Sequence, residues 1–107
     1  MSAKPVVPRL VARRDVENAI DYYADEAGAD IALRFIVALK DAYRVISTRP
    51  ATGSPRFAHE LELPGLRTRE IARFPYLIFY LERDDHIDVW RVLHRQRDMQ
   101  AWLGRAD

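Results

Sequence analysis

The chain contains no cysteine, which excludes disulfides, thiolate nucleophiles and cysteine-held metals. No apolar run approaches the roughly 18 residues that a membrane span needs. The amino terminus, MSAKPVVPRL, lacks the continuous apolar core of an export signal, so the expected location is the cytoplasm. Lysine is scarce as well: of 17 basic residues only Lys4 and Lys40 are lysine, and the others are arginine. A net charge of +1 predicts by itself no affinity for nucleic acid. Arginine, however, offers a planar fork to carboxylate or phosphate, which suits an interface. An arginine-favouring codon usage explains the bias equally well. What remains is 107 residues, 49% hydrophobic and 31% charged, the makeup of a globular protein with one core, read as a single domain spanning residues 1–107.

VVPRLVA, residues 6–12, is apolar and β-branched and reads as a first strand, with Pro5 and Pro8 placing it at a sheet edge. Asp15 then stands where a helix cap would. Val16, Ala19, Ile20, Tyr23, Ala24 and Ala27 recur at helical spacing up to Gly28, predicting a helix over 13–27. A second helix over 30–48 carries Phe35, Ile36, Leu39, Tyr43 and Ile46 on one stripe and stops before Arg49-Pro50, with Asp30 suited to its dipole. The two form an antiparallel hairpin. Ile31, Val37, Ala38 and Val45 fall off the main stripe, and an apolar residue on a wet face is a candidate for contact with a partner.

Residues 50–65 are rich in proline and glycine and read as a loop, with a short strand at HELEL, 59–63. LRTREIARF alternates, placing Arg67, Arg69, Ile71 and Arg73 on one face. PYLIFYLE, 75–82, is nearly all apolar, as a strand buried on both faces should be. RDD at 83–85 predicts a tight turn, and HIDVWRVLH a hairpin partner in which Arg91 alternates with Ile87, Val89 and Leu93, while His94 follows Trp90 and Val92. Arg91 would pair with an acidic neighbour, Asp88 or Asp98. DMQAWLGRA closes the chain as a short helix with Met99, Trp102 and Leu103 inward. Strands segregated from helices predict an α+β fold: an N-terminal strand and a helical hairpin on a mainly antiparallel sheet of three or four strands. His59, His86 and His94 have no metal-ligand spacing, so no metal and no cofactor are expected.

The run PGLRTREIARFPYLIFYLERDDHIDVWRVLHRQRD, together with the hairpin and RPATG, resembles the RelE/ParE toxin superfamily of type II toxin–antitoxin modules, over nearly the whole chain. The resemblance implies a small toxin neutralised by a cognate ParD-like antitoxin, meeting operator DNA only through that antitoxin and touching no membrane. ParE-like members inhibit DNA gyrase by binding. RelE-like members cleave mRNA on the ribosome, which takes a base, an acid and cations on the scissile phosphate. Against the RelE-like pattern, Arg67 and Arg69 match the basic pair, and Arg95 and Arg97 match the arginine-bearing strand end. Tyr76 stands where a third-strand arginine belongs, and Ala101, beside Trp102, where a terminal-helix tyrosine belongs. The resemblance therefore favours a ParE-like inhibitor. The alternatives are a nuclease using His94, Arg67, Arg69 and Arg95, or a non-toxic remnant that only pairs with antitoxin. Candidate target contacts are Arg67, Arg69, Arg73, Arg91, Arg95, Arg97 and Trp102; candidate antitoxin contacts are Ile31, Val37 and Val45. Blander readings stand beside these: the arginines as a solvated strand face, His94 as a hydrogen-bonded structural residue, and Trp102 as a core anchor.

Overall fold

A computed structural model describes residues 3–104, with the side chains of residues 100 and 102–104 outside the description. The elements run β1 (Val6–Pro8), α1 (Leu10–Ala27), α2 (Ala29–Thr48), a 3-10 turn (Pro50–Thr52), β2 (Arg67–Glu70), β3 (Tyr76–Glu82), β4 (Ile87–His94) and α3 (Arg97–Gly104). The sheet has the order β1-β4-β3-β2. β2, β3 and β4 pair antiparallel, whereas β1 lies parallel to β4 at the edge, with Val6 opposite Ile87, so the sheet is mixed.

The first strand is shorter than VVPRLVA suggested. Arg9 is extended at φ −67° and ψ 161°, its N–H donates to the Val89 carbonyl, and the helix starts at Leu10. Leu10, Val11 and Ala12 form its first turn, and only Ala12 is buried. Asp15 is thus well inside α1 and is not its cap. Gly28 joins the helices at φ 95°, a conformation that glycine adopts without penalty. The hairpin's inner stripe, Ala19 on α1 with Phe35, Leu39 and Ile46 on α2, packs on Ile78, Tyr80, Val89 and Val92 of the sheet. Tyr23, Phe35, Phe74 and Tyr76 stack ring against ring at centroid distances of 5.1–6.2 Å.

The sheet's second face is covered as well. Phe57, Leu66 and Met99 pack there against Leu77, Phe79, Leu81 and Leu93. All of β3 but Glu82 is buried, as its uninterrupted apolar run requires. HELEL forms successive turns, not a strand: the N–H groups of Leu61, Glu62 and Leu63 bond to the carbonyls of Phe57, His59 and Ala58. Leu61 and Leu63 lie against the second core by their side chains alone. Ser54 and Thr68 exchange backbone hydrogen bonds at 2.9 and 2.8 Å, closing the outer edge of β2 there.

Two more expectations fail for local reasons. β2 ends at Glu70, and residues 71–74 turn, with Phe74 N–H donating to the Ile71 carbonyl and Arg73 at φ 71°. Arg73 therefore leaves the face that holds Arg67 and Arg69. In β4 a bulge opposite Phe79 and Tyr80 accommodates Trp90 as an extra residue. The bulge shifts the alternation: Val92 joins Ile87 and Val89 in the hairpin core, while Leu93 passes to the opposite core.

Candidate functional site

β4 outruns β1, so beyond Val89 its edge lacks a strand neighbour. Asp15 fills that place from α1. Its carboxylate accepts the Val92 N–H at 3.0 Å and takes the Arg91 guanidinium bidentately at 2.8 and 2.9 Å. Arg91 is thus paired with Asp15 across 76 residues, and the expected neighbour Asp98 adds its pull on the same guanidinium. Asp88, buried, holds Arg9 and Arg83 instead, and these hydrogen bonds keep its carboxyl below the usual carboxylate range despite the cost of burial.

At the end of β4, His94 sits opposite Tyr76 and stacks edge-on against its ring at 5.3 Å. Its Nδ1 accepts the backbone N–H groups of Gln96 at 3.2 Å and Arg97 at 3.1 Å, while its own backbone N–H donates to Asp98 at 2.8 Å. This reciprocal arrangement satisfies orphan donors at the start of α3, as a capping box does. With Nδ1 accepting, the ring proton belongs on Nε2. Burial lowers the His94 pKa, Arg97 and Arg95 lower it further, and Asp98 opposes them.

The cap must therefore be proton-sensitive. A folded-state pKa below the unfolded value favours the neutral ring, so His94 adds stability that is complete above about pH 6.5 and is lost as pH falls through the depressed value. NMR titration should show the Nε2–H tautomer at neutral pH and a midpoint under that of a histidine in a model peptide. A midpoint at or above the peptide value would show that the cap does not form.

The neighbouring arginines are also engaged. Arg97 bonds to Asp98 at 3.2 Å and to the Tyr76 hydroxyl at 3.3 Å, and lies over the Tyr22 ring. Arg95 pairs with Glu70 at 2.6 Å in the open. Between α1 and α3 lies a cleft of about 320 Å³ lined by Asp15, Tyr76, Arg91 and Arg97. Burial raises the Tyr76 phenol's pKa against the opposing pull of Arg97, so it stays protonated at neutral pH. The two arginine–aspartate pairs balance in charge. The cleft is built to hold a shape, with each cation already held by an anion.

Arg67 and Arg69 stand elsewhere. They lie opposite Tyr80 and Ile78, further along β3 than Tyr76, and reach toward the 3-10 turn: Arg67 to the Gly53 carbonyl at 2.7 Å, Arg69 to the Thr52 hydroxyl at 3.5 Å. Arg95 reaches β2 through Glu70, the neighbour of Arg69, while the His94 ring nitrogen is engaged in the α3 cap. Among the described residues, no three histidine, aspartate or glutamate side chains are placed to hold a metal ion. The Trp102 side chain lies outside the described residues.

A second surface lies on the hairpin. Ile31 and Val37 line an open groove of about 790 Å³ with Leu33, Ala38 and Phe74, and Arg34 and Arg73 stand at its margins. Leu33 and Val37 are each 59% exposed. Val45, half-buried two turns on, does not line it. The sequence shows Leu33 one helical turn before Val37, so this lining residue was legible. Phe74 was not, because only the turn after β2 brings it to α2.

The sequence model of the ParE toxin of the type II toxin–antitoxin system, parDE, matches residues 7–99. Among solved structures, the chain is similar to one described as the chromosomal ParDE TA system from P. aeruginosa. The TM-score is 0.72 at 19% identity, covering 86% of this chain and 96% of that one. No curated protein sequence matches the chain. No described helix is long and apolar enough to cross a membrane. With the family pattern running from β1 into α3, the chain belongs to the ParE toxin family of type II toxin–antitoxin systems.

Proposed function

We propose that this toxin arrests growth in the cytoplasm by binding and inhibiting DNA gyrase, and that a ParD-like antitoxin neutralises it by docking on the α2 groove. The observation that carries a binding mechanism is the state of His94. Its Nδ1 is occupied by two backbone N–H groups, so it caps α3 and has no lone pair to offer as a base. The apolar floor of the groove, with unpaired Arg34 and Arg73 beside it among the described residues, suits an amphipathic helix whose flanks are acidic. Ile31 and Val37 contact that helix, while Val45, half-buried two turns beyond the groove, meets the antitoxin where its chain continues past it. Arg67, Arg69 and Arg73 carry target contact, supported by Arg95, Arg97 and Trp102 near α3, with Arg91 fixing the strand beneath. The operator sequence is recognised only through the antitoxin.

The test is induction of wild type and His94→Ala at matched expression, with gyrase supercoiling assayed in extract and ribosome-bound mRNA examined for cuts. The expected result is lost supercoiling, intact mRNA and substantial toxicity in His94→Ala. Specific mRNA cleavage by wild type that disappears in His94→Ala would replace the reading with a ribosome-dependent endonuclease. Neither effect, alongside tight antitoxin binding, would mark a non-toxic remnant.

A further inference from the structure

The net charge conceals a division of charge. Arg9, Arg44, Arg83, Arg91, Arg95 and Arg97 are all ion-paired. Asp21, Asp25, Glu26 and Asp30, exposed about the Gly28 end of the hairpin, form no ion pair among the described residues. At the other end of α2, about 30 Å away for a helix of this length, the reverse holds. Arg67 and Arg69 reach the Pro50–Gly53 turn, Arg49 is exposed at its start, and none of the three meets a carboxylate among the described residues. Arg67 is bonded to the Gly53 carbonyl and Arg69 to Thr52, whose hydroxyl donates to the Arg49 carbonyl at 2.7 Å. Two of the guanidinium groups are thus positioned in advance.

We propose that this ridge binds the phosphodiester backbone of double-stranded nucleic acid, independently of base sequence. The spacing of the guanidinium groups favours phosphates, and the lack of a stacking face beside them favours a duplex over a single strand. Arg67 and Arg69 are alternate residues of one strand, so they emerge on one face about 6.6 Å apart, a separation like that of consecutive phosphates along one nucleic-acid strand. Arginine forks suit bidentate phosphate contact. The rings beside the turn offer no face for base stacking, since Phe57 and Tyr80 are buried and the Tyr80 hydroxyl is bound to the Pro50 carbonyl. The charge division adds orientation, turning the basic end toward a polyanion and the acidic end away. The inference does not depend on which target the toxin inhibits.

The experiment is fluorescence anisotropy of the full chain with labelled duplex DNA, single-stranded DNA of the same length and polyglutamate, over a range of potassium chloride. Three phosphate contacts predict that log affinity falls with log salt at a slope of about −2.7 for duplex DNA. Arg49→Gln alone, at an exposed position, should reduce that slope by about 0.9. Arg49→Gln/Arg67→Gln/Arg69→Gln should weaken binding at low salt at least tenfold, whereas Lys40→Gln/Arg44→Gln, elsewhere on α2, should not. Antitoxin affinity and circular dichroism report that each variant is folded. A wild type that does not bind duplex DNA at low salt, or variants that bind like wild type, would overturn the proposal. So would polyglutamate or the single strand binding as tightly as the duplex. None of these results would touch the antitoxin reading.

Discussion

Val37→Glu should lower antitoxin affinity about 30-fold or more, the size expected when a central apolar anchor is lost and a charge is forced into a dry groove. The toxin itself should melt normally, because Val37 is 59% exposed on the outer face of α2 and contributes nothing to the core beneath. Leu33→Glu, one turn earlier in the same groove, should behave alike. Val45→Glu should cost some folding stability as well, since that side chain is half-buried. Calorimetric titration with purified antitoxin, alongside thermal melts of the free toxin, separates the two effects. Unchanged affinity in both Val37→Glu and Leu33→Glu would remove the antitoxin from this groove.

Asp15→Ala is expected to destabilise the fold by about 2–4 kcal/mol, a large share of what a small domain possesses. The carboxylate does three things at once: it holds both nitrogens of Arg91 and satisfies the Val92 N–H where no strand neighbour exists. With it gone, a half-buried guanidinium loses its bidentate partner and a strand-edge donor loses its acceptor. Part of the loss belongs to the weakened environment of that cation, so Arg91→Ala in the Asp15→Ala background should cost less than it does alone. Urea unfolding of the two single variants and the double variant measures this. Additive losses would show that the pair is not coupled.

The elements most readable from the sequence were those with a long, single-valued pattern. β3 is apolar without a break, and α2 repeats at helical spacing over five turns, so type and extent were both legible. Leu10, Val11 and Ala12 were ambiguous because a short apolar run suits a strand or a helix equally. The choice was made by Arg9, whose N–H ends the pairing with β4. HELEL alternates like a strand, but its backbone bonds close locally and its leucines pack as turn residues. The bulge at Trp90 leaves no mark in the sequence, and by shifting the alternation it separated Arg91 and Leu93 from the residues they seemed to accompany.

The candidate site was legible in its residue types and not in its partners. That His94 sits among arginines is plain from WRVLHRQRD. That its ring nitrogen caps α3 depends on a turn two residues later. The pairing of Arg91 with Asp15 joins residues too distant in sequence for any local pattern to reveal. Arg67 and Arg69 share one face of β2 as the alternation suggested, but their reach to the Pro50–Gly53 turn required the fold.

The parallel pairing of β1 with β4 sets an order of events during synthesis. Pro8 finds its partner only in Val89, a wait of roughly 4–16 s at translation speeds of about 5–20 residues per second. The hairpin, built from local contacts, can form as soon as its residues emerge, but the sheet on which it rests is completed only when β4 has been made. A ribosome that stops short of residue 87 therefore releases a hairpin without a floor, a strand without a neighbour and no strand end to cap. Any frameshift or premature stop upstream of β4 should give an inert product, and the toxin is kept out of its final form until that strand has been made.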